Sequence, residues 1–196
     1  MSGGTALSAF YLYHRLSEDL DFFTIDQNVS FDSVNAEMIK LFHSLKMKID
    51  HQVSSSTFLQ YILKNKKQTL KVDLVKDVPL HFGKLKITDN IRIDSLENIS
   101  VGKLLALFGR ADAKDFIDLY FLLEKEKMID FESIFTMAKQ KDIGLHELYL
   151  AEMISHIEKI KHFPKTLKPY KHEDMNRFFL DLSNQLLKRI KPHTKN

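Results

Sequence analysis

The chain begins with a double glycine and, after fourteen intervening residues, carries two aspartates that flank a single leucine. Gly3 and Gly4 lead into a run with helical spacing, while Asp19 and Asp21 stand in the strand-like stretch DLDFFT. Residues two apart in a strand point to the same face of the sheet. The two carboxylates therefore share one face and repel each other unless a proton, a salt bridge or a divalent cation intervenes. The fold has to present a charged face on a strand that follows a glycine turn and a helix.

Apolar periodicity divides the sequence into a strand-rich half and a helical half. The predicted strands are DLDFFT, KIDHQVS, TFLQYILKN, TLKVDLVKDV and NIRID, with KNKKQ as the polar loop of a hairpin. The predicted helices cover about 5–14, 32–46, 95–110, 113–127, 131–141, 145–161 and 173–190. We therefore predict an α+β chain with an α/β domain at 1–94 and a helical bundle at 95–196.

Composition limits the class of protein. The 196 residues are 44% apolar and 28% charged, as in folded soluble domains. The sequence has no apolar run of membrane-spanning length and no signal-peptide pattern. The absence of cysteine excludes disulfides and thiolate zinc sites. We expect a cytoplasmic protein without a membrane partner.

Charge is unevenly distributed along the chain. The net charge is +3, but residues 139–196 contain twelve Lys and Arg against seven Asp and Glu. A basic segment of this kind either attracts a polyanion or is simply the solvated surface of the helices. Both interpretations stay open at this level.

The opening stretch has the components of a phosphate and metal site. A Gly-Gly-Thr turn that enters a helix presents backbone N–H groups to an anion. Magnesium prefers carboxylate and phosphate oxygens as ligands, which suits the pair Asp19 and Asp21. The alternative is that these are strand-end aspartates paired with Arg15 or a neighbouring lysine.

A third carboxylate is expected from a neighbouring strand. Asp73 is a lone acid in the apolar stretch LKVDLV, and buried acids need a partner. Asp94 is the competing candidate, although it is also placed to cap the helix that follows. We favour Asp73, and we expect Phe22 and Phe23 to belong to the core.

Two longer motifs resemble one protein family. GGTALSAFYLYHRLSEDLDFF is similar to the G-G-T-A-L and H-R-x-S-x-D-L-D-F-F pattern of AbiEii/AbiGii-type toxin nucleotidyltransferases, within the DNA polymerase β-like superfamily. KLLALFGRADAKDFIDLYFLL resembles the helix pair K-x-x-A-x-x-x-R-x-x-x-K-D-x-x-D-L of the same family. The resemblance covers about 2–25, 68–76 and 100–123. It implies a nucleotidyltransferase domain with a mixed or antiparallel sheet and a C-terminal helical bundle.

The resemblance also implies an activity and its residues. The chain would use Mg²⁺ or Mn²⁺ to move a nucleoside monophosphate from an NTP to an acceptor such as RNA or tRNA, as a toxin with a cognate antitoxin protein. The phosphates would be held by Gly3, Gly4, Thr5, Arg15, Ser17 and Lys103. The metal would be held by Asp19, Asp21 and Asp73. The catalytic residues would be Asp73, Lys103 and Asp115.

Several of these side chains have a structural alternative. Lys103 and Arg110 share one helix face. Either both are solvated cations on the helix surface, or Lys103 contacts the triphosphate. Asp115 and Asp118 form either an interhelical salt-bridge set or part of the active site, and Arg110 is expected to pair with one of them. His14 either touches phosphate or packs and caps its helix.

The sequence departs from the family at its start. Relatives carry a helix and a first strand before the Gly-Gly turn, whereas here only Met1 and Ser2 precede it. Either the chain is truncated, another element replaces that strand, or the protein is a weakened relative. The alternatives to an enzyme are therefore a non-catalytic nucleotide-binding protein that keeps the fold, or a purely structural interaction domain.

Overall fold

The computed structural model of the chain describes residues 1–65 and 68–190, which form two compact units. Unit 1 contains Met1–Ala9 and Ser17–Ser95, and unit 2 contains Phe10–Leu16 and the chain from Leu96 onward. Lys66 and Lys67, the centre of the predicted hairpin loop, lie outside the described residues. Within the described ranges, no helix is both long enough and apolar enough to cross a membrane.

Unit 1 is built on a mixed four-stranded sheet. Its strands and helices are α1 (Gly3–Leu7), β1 (Asp19–Thr24), α2 (Phe31–Ser44), β2 (Lys48–Ser54), β3 (Phe58–Asn65), β4 (Gln68–Lys76), β5 (Lys86–Thr88) and β6 (Ile91–Ile93). The strand order is β1-β4-β3-β2, with β1 parallel to β4 and the other pairs antiparallel, while β5 and β6 form a separate hairpin. The mixed sheet confirms the predicted α+β class.

The core of unit 1 lies between α2 and the sheet. Its buried residues are Phe31, Phe42, Leu59, Tyr61, Leu63 and Val72. Helix α2 begins where the Ser30 hydroxyl accepts the backbone N–H of Ser33, as expected for an N-cap serine. One face of the sheet is thereby covered by apolar packing, which leaves the opposite face of β1 and β4 for charged side chains.

The prediction that Phe22 and Phe23 belong to the core is wrong. Phe22 is 37% exposed and Phe23 is 45% exposed. Strand alternation places Phe23 on the same face as Asp19 and Asp21, which the core does not cover, and β1 is the last strand in the order β1-β4-β3-β2. Apolar character in the sequence does not distinguish an edge strand from a central one.

Unit 2 is helical. After the segment 10–16, its helices are α3 (Leu96–Arg110), α4 (Ala113–Tyr120), α5 (Phe131–Lys141), α6 (Glu147–Ser155) and α7 (His172–Ile190). The predicted helix at 113–127 continues from α4 as a π-helical segment, Phe121–Lys125, and the one at 145–161 ends in a 3₁₀ segment, His156–Lys159. The predicted helix at 5–14 begins earlier, at Gly3, and includes the π-helical segment Ser8–Leu12.

The segment 10–16 is tied to unit 2 by backbone hydrogen bonds. Tyr13 has a φ of 52°, which ends the helical run. The backbone N–H of Leu167 then donates to the His14 carbonyl at 2.7 Å, and Arg15 forms a bridge with Thr166. Linear periodicity did not predict that this piece of the N-terminal motif packs with the helices.

Candidate active site

Three carboxylates and one lysine share a face of the sheet in unit 1. In the parallel register of β1 and β4, Asp19 lies beside Lys71 and Asp21 lies beside Asp73. The intervening residues of both strands, Leu20 and Val72 among them, point to the opposite, apolar face. Strand alternation and register together therefore place all four charged side chains on one surface, with a formal charge of −2.

The Lys71 ammonium lies between carboxylates of the two strands. Its Nζ is 3.0 Å from Asp73 Oδ2 and 3.5 Å from Asp19 Oδ2. Burial opposes the charged form, but the hydrogen bond to Asp73 and the charges of Asp73, Asp19 and Asp21 outweigh it and raise the pKa of Lys71. Gln60 on β3 donates to the other oxygen of Asp73 at 3.0 Å. Asp73, 8% exposed, is thus held by a donor on each oxygen.

The glycine turn lies directly against Asp21. Gly3 has a φ of 69°, a left-handed conformation that glycine adopts without steric cost. A Cβ at this position would lie 2.7 Å from Cγ of Asp21, which is far inside van der Waals contact. Gly3 is therefore required both for the turn and for the close approach of its backbone to the carboxylate. The predicted phosphate turn and the predicted metal pair are neighbours.

The residues on either side of the turn hold it in place. The backbone N–H of Ser2 donates to the Asp21 carbonyl at 2.8 Å, and the Thr5 hydroxyl donates to the Asp19 carbonyl. Since that hydroxyl proton is used on β1, Thr5 positions the turn relative to the aspartates. The first N–H groups of α1 lack intrahelical acceptors, as at every helix start.

The backbone of Met1 and Ser2 is hydrogen-bonded both to β1 and to the residue that follows β6. Ser2 pairs with Asp21 of β1 as an antiparallel bridge, while the backbone N–H of Asp94 donates to the Met1 carbonyl at 2.8 Å. The turn is thus connected to β1 on one side and to the end of β6 on the other.

Asp94 has a structural role in this connection. Its carboxylate accepts from the Ser2 hydroxyl at 2.7 Å, from His81 Nε2 at 2.7 Å and from the backbone N–H of Ser95 at 2.9 Å. The residue is buried, with 6% of its surface exposed. Asp73 lies on the charged face of β1 and β4, whereas Asp94 follows β6 in the separate hairpin.

The carboxylate face has the donor chemistry of a magnesium or manganese site. Among residues 1–65 and 68–190, no group of three or more His, Cys, Asp or Glu side chains is already arranged to ligate a metal ion. The hard oxygens of Asp19, Asp21 and Asp73 are nevertheless the ligands that these ions prefer. The Lys71 ammonium occupies the position of a metal cation between Asp19 and Asp73. The residues fit the metal, provided that this lysine moves.

A second charged cluster lies entirely within unit 2 and is centred on Asp118. This carboxylate has no exposed surface. Its Oδ1 accepts from His14 Nε2 at 2.7 Å and from Arg15 Nε at 2.6 Å. Its Oδ2 accepts from Arg15 Nη2 at 2.8 Å and lies 2.7 Å from Lys103 Nζ. Three donors from two distant parts of the sequence therefore surround one buried carboxylate.

The electrostatics of this cluster favour charged Asp118. Burial alone would raise the pKa of Asp118, but the charges of Lys103 and Arg15 and the hydrogen bonds from Arg15 and His14 hold it well below the ordinary value. His14 has no exposed surface, and its ring packs against Phe121 at 5.0 Å between centroids. His14 therefore packs in the interior of unit 2, which was the alternative to a contact with phosphate.

Asp115 links the same cluster to the end of α3. Arg110 Nε donates to Asp115 Oδ2 at 2.9 Å, and Lys103 Nζ lies 3.4 Å from Asp115 Oδ1. Asp115 has no exposed surface, and Lys103 is 6% exposed. Arg110 therefore pairs with Asp115, one of the two expected partners. Asp115 and Asp118 of α4 both form ion pairs with residues of α3, as the salt-bridge interpretation of these two aspartates expects.

The sequence analysis did not identify two side chains of the carboxylate face. Lys71 and Gln60 were not singled out, although Lys71 lies two residues before Asp73 in LKVDLV and hence on the same strand face. That spacing was a usable signal for Lys71. Gln60 becomes visible only through the β3–β4 register, in which it lies opposite Asp73. Ser17 precedes β1 and is half-buried.

Comparison with known proteins identifies the class. The profile of the nucleotidyl transferase AbiEii toxin family of type IV toxin–antitoxin systems matches residues 1–189. The chain belongs to this family, which confirms the resemblance drawn from its motifs. It is a nucleotidyltransferase of the toxin–antitoxin kind. A search of curated protein sequences returned no significant match.

Two solved structures share the fold. A "putative nucleotidyltransferase" from H. pylori has a TM-score of 0.60 and 18% identity, over 100% of this chain and 88% of that chain. JHP933 from Helicobacter pylori has a TM-score of 0.57 and 19% identity, over 96% of this chain and 83% of that chain. At these identities the likeness concerns the fold, and it includes the C-terminal helices.

Proposed function

We propose that this chain is a metal-dependent enzyme that moves a nucleoside monophosphate from an NTP to an RNA acceptor, with the carboxylate face of unit 1 as its metal site. The observation that carries the proposal is the contact of the Gly3 backbone with Asp21, because it puts a phosphate-binding turn beside a net negative pair of strands.

The site residues have distinct proposed roles. Asp19 and Asp21 would hold Mg²⁺ or Mn²⁺, which neutralises charge that develops on the phosphates. Gly3, Gly4 and the Thr5 backbone present N–H groups to phosphate oxygens. Asp73 would orient the attacking hydroxyl and accept its proton, since the hydrogen bond from Gln60 holds its carboxylate in place.

The reaction is a displacement at the α-phosphorus. The acceptor oxygen forms a bond to that phosphorus while the bond to the bridging oxygen of the β-phosphate breaks and pyrophosphate leaves. The hydroxyl proton moves to a carboxylate of the chain. Little other covalent chemistry is required, so binding geometry and charge supply most of the rate enhancement.

In unit 2, the resemblance assigns phosphate contacts to Arg15 and Lys103 and a catalytic role to Asp115. Both cations are ion-paired and almost buried. A contact of either cation with phosphate would therefore use donor capacity beyond these ion pairs. Separately, the resemblance assigns a phosphate contact to the hydroxyl of Ser17. Loss of transfer without loss of stability in Lys103→Met would support such a role.

A nucleic-acid acceptor is supported by a basic segment of unit 2. Residues 159–172 contain five lysines and no Asp or Glu. Lys161, Lys165 and Lys171 are exposed. The middle of this segment is hydrogen-bonded to the backbone of His14, which anchors it. An ordered segment with several exposed cations suits a phosphate backbone. The family also suggests a cognate antitoxin protein as partner.

The decisive experiment incubates the protein with α-³²P-labelled NTPs, Mg²⁺ and total tRNA. Wild type should label RNA, and Asp19→Asn/Asp21→Asn should not, while Lys76→Met on the opposite face of β4 should label normally. Equal labelling by the aspartate variant would contradict the proposal. Tight NTP binding without labelling in wild type would favour the second candidate, a nucleotide-binding protein without transfer activity.

A further inference from the structure

Lys71 occupies the position on the carboxylate face where a cation is most needed. We propose that Lys71 is an exchangeable counter-cation: its ammonium holds Asp19 and Asp73 together in the metal-free protein and leaves them when a divalent ion binds. This inference rests on the proposed metal site but adds a residue and a step that the family resemblance does not assign.

The geometry makes the ammonium and a metal ion competitors. Lys71 Nζ bridges Asp73 at 3.0 Å and Asp19 at 3.5 Å, one carboxylate on each of two adjacent strands. A divalent ion that takes oxygens from the same carboxylates meets a positive charge already bound to them. Two cations at such short separation repel strongly outside bulk water, so one has to move.

The charge balance favours the exchange. Asp19, Asp21 and Asp73 together with Lys71 carry a formal charge of −2, which one divalent ion neutralises. Like-charged carboxylates on neighbouring strands destabilise the fold when nothing separates them. Lys71 therefore stabilises the empty site, and this stabilisation disfavours metal binding by the same amount.

The side chain of Lys71 is suited to movement. It is 30% exposed, so a route to solvent exists, and a lysine carries a compact charge on a flexible four-carbon stem. The released ammonium keeps its charge and is then able to bind an anion, such as a phosphate group, close to the metal.

Two other lysines of the chain lack one of the two properties that the exchange requires, namely carboxylate partners and a partly exposed side chain. Lys76 lies on the opposite face of the same strand and donates to the carbonyls of Gln27 and Val29 at 3.2 and 2.8 Å. Lys103 bridges two carboxylates but its side chain is only 8% exposed. Lys76 is therefore a matched control with neutral partners.

The test measures Mn²⁺ binding without nucleotide, by electron paramagnetic resonance of the free ion. Lys71→Met should bind Mn²⁺ about tenfold more tightly than wild type, since one nearby unit charge is removed. Its metal-free melting temperature should fall, and its rise with Mn²⁺ should exceed that of wild type. Lys71→Arg should approach wild-type affinity, and Lys76→Met should match it.

Equal or weaker Mn²⁺ binding by Lys71→Met would overturn the exchange. Lys71→Gln supplies the same comparison if the methionine variant does not fold. Asp19→Asn/Asp21→Asn separates this inference from the proposed function. If that variant loses Mn²⁺ while Lys71→Met leaves the affinity unchanged, only the exchange is wrong. If it binds Mn²⁺ like wild type, the metal site itself is wrong and the exchange falls with it.

Discussion

Two clusters of aspartates in this chain have opposite charge balance. In unit 2, Asp118 is fully buried and receives hydrogen bonds or ion pairs from His14, Arg15 and Lys103 within 2.8 Å. On the carboxylate face of unit 1, the ammonium of Lys71 lies between the carboxylates of Asp19 and Asp73, Asp21 adds a third negative charge, and the Asp19 side chain is 35% exposed. The first cluster has an excess of donors, and the second an excess of negative charge.

The difference separates stability from binding. A buried charge is tolerated only when it is paired and hydrogen-bonded, so a saturated cluster such as that of Asp118 is what a stable interior requires. A partly exposed cluster with surplus negative charge destabilises the empty protein and is relieved by a bound cation. The comparison supports the proposal that unit 1 binds the metal and that Asp118 has a positioning role.

The sharpest way to break this comparison is the same substitution in both clusters. Asp21→Asn should lower nucleotidyl transfer by at least about a thousandfold and leave the free energy of unfolding unchanged or slightly higher, because it relieves repulsion. Labelled-NTP transfer and denaturant unfolding measure the two effects.

Asp118→Asn should lower the free energy of unfolding more than it lowers the transfer activity of the folded protein. It leaves Arg15 and Lys103 buried without their carboxylate, and the cost should be about 3–5 kcal/mol of unfolding free energy. Activity should fall only in proportion to the folded fraction and to any displacement of Lys103. A stable Asp118→Asn protein, or an unstable Asp21→Asn protein, would reverse the assignment.

A pair of glycine substitutions tests the turn beside Asp21. Gly3→Ala places a Cβ against the Asp21 carboxylate at a φ of 69° and should destabilise the protein by about 1–3 kcal/mol. It should also weaken Mn²⁺ binding. Gly102→Ala, in a helix with nothing within 4 Å of the added Cβ, should instead stabilise by about 0.5–1 kcal/mol. Equal behaviour in thermal unfolding would remove the special status of Gly3.

The pH dependence of stability sharpens the account of Asp118. Its pKa is lowered from the ordinary 3.8 in the folded protein, so its contribution is present above that pH and is lost as the pH falls toward the folded pKa. The stability difference between wild type and Asp118→Asn should stay constant above about pH 5 and shrink below it. Glu37→Gln, in a pair that is 72% exposed, should change little at any pH. A difference that grows on acidification would contradict the account.

The smallest expected effect concerns the basic segment. Replacing Lys161, Lys165 and Lys171 by Gln should weaken RNA binding several-fold and lower the slope of log K against log salt by about two to three. The exposed Lys46, Lys48 and Lys84 of unit 1 provide a control with the same charge change. Fluorescence anisotropy at several salt concentrations measures both, and equal slopes would remove the support for this surface.

Much of the carboxylate face could be predicted from the sequence because its residues lie two apart within single strands. Asp19 and Asp21 share a face through the two-residue period of a strand, and the same rule links Lys71 to Asp73. The length of the segment between Gly4 and Asp19 allowed the glycine turn to return to the aspartates, but no spacing rule specified the contact between Gly3 and Asp21.

The rest depended on tertiary pairing. The edge position of β1 exposes Phe22 and Phe23, and strand order does not follow from hydrophobic pattern. The cluster around Asp118 joins residues about a hundred positions apart, and the sequence left its structural and catalytic interpretations open. The strand-rich half and the helical half were predictable because both rest on periodic segments, whereas a mixed or antiparallel sheet was expected only from the family resemblance.

The measurement that tests the central claim most directly is the melting temperature with and without Mg²⁺ and a non-hydrolysable NTP analogue. A ligand that binds only the folded state stabilises it by about 2.7 kcal/mol at a hundred times its dissociation constant. Wild type should show this rise, and Asp19→Asn/Asp21→Asn should lose most of it at an unchanged ligand-free melting temperature. An equal rise in both proteins would contradict the assignment of metal and nucleotide binding to the carboxylate face.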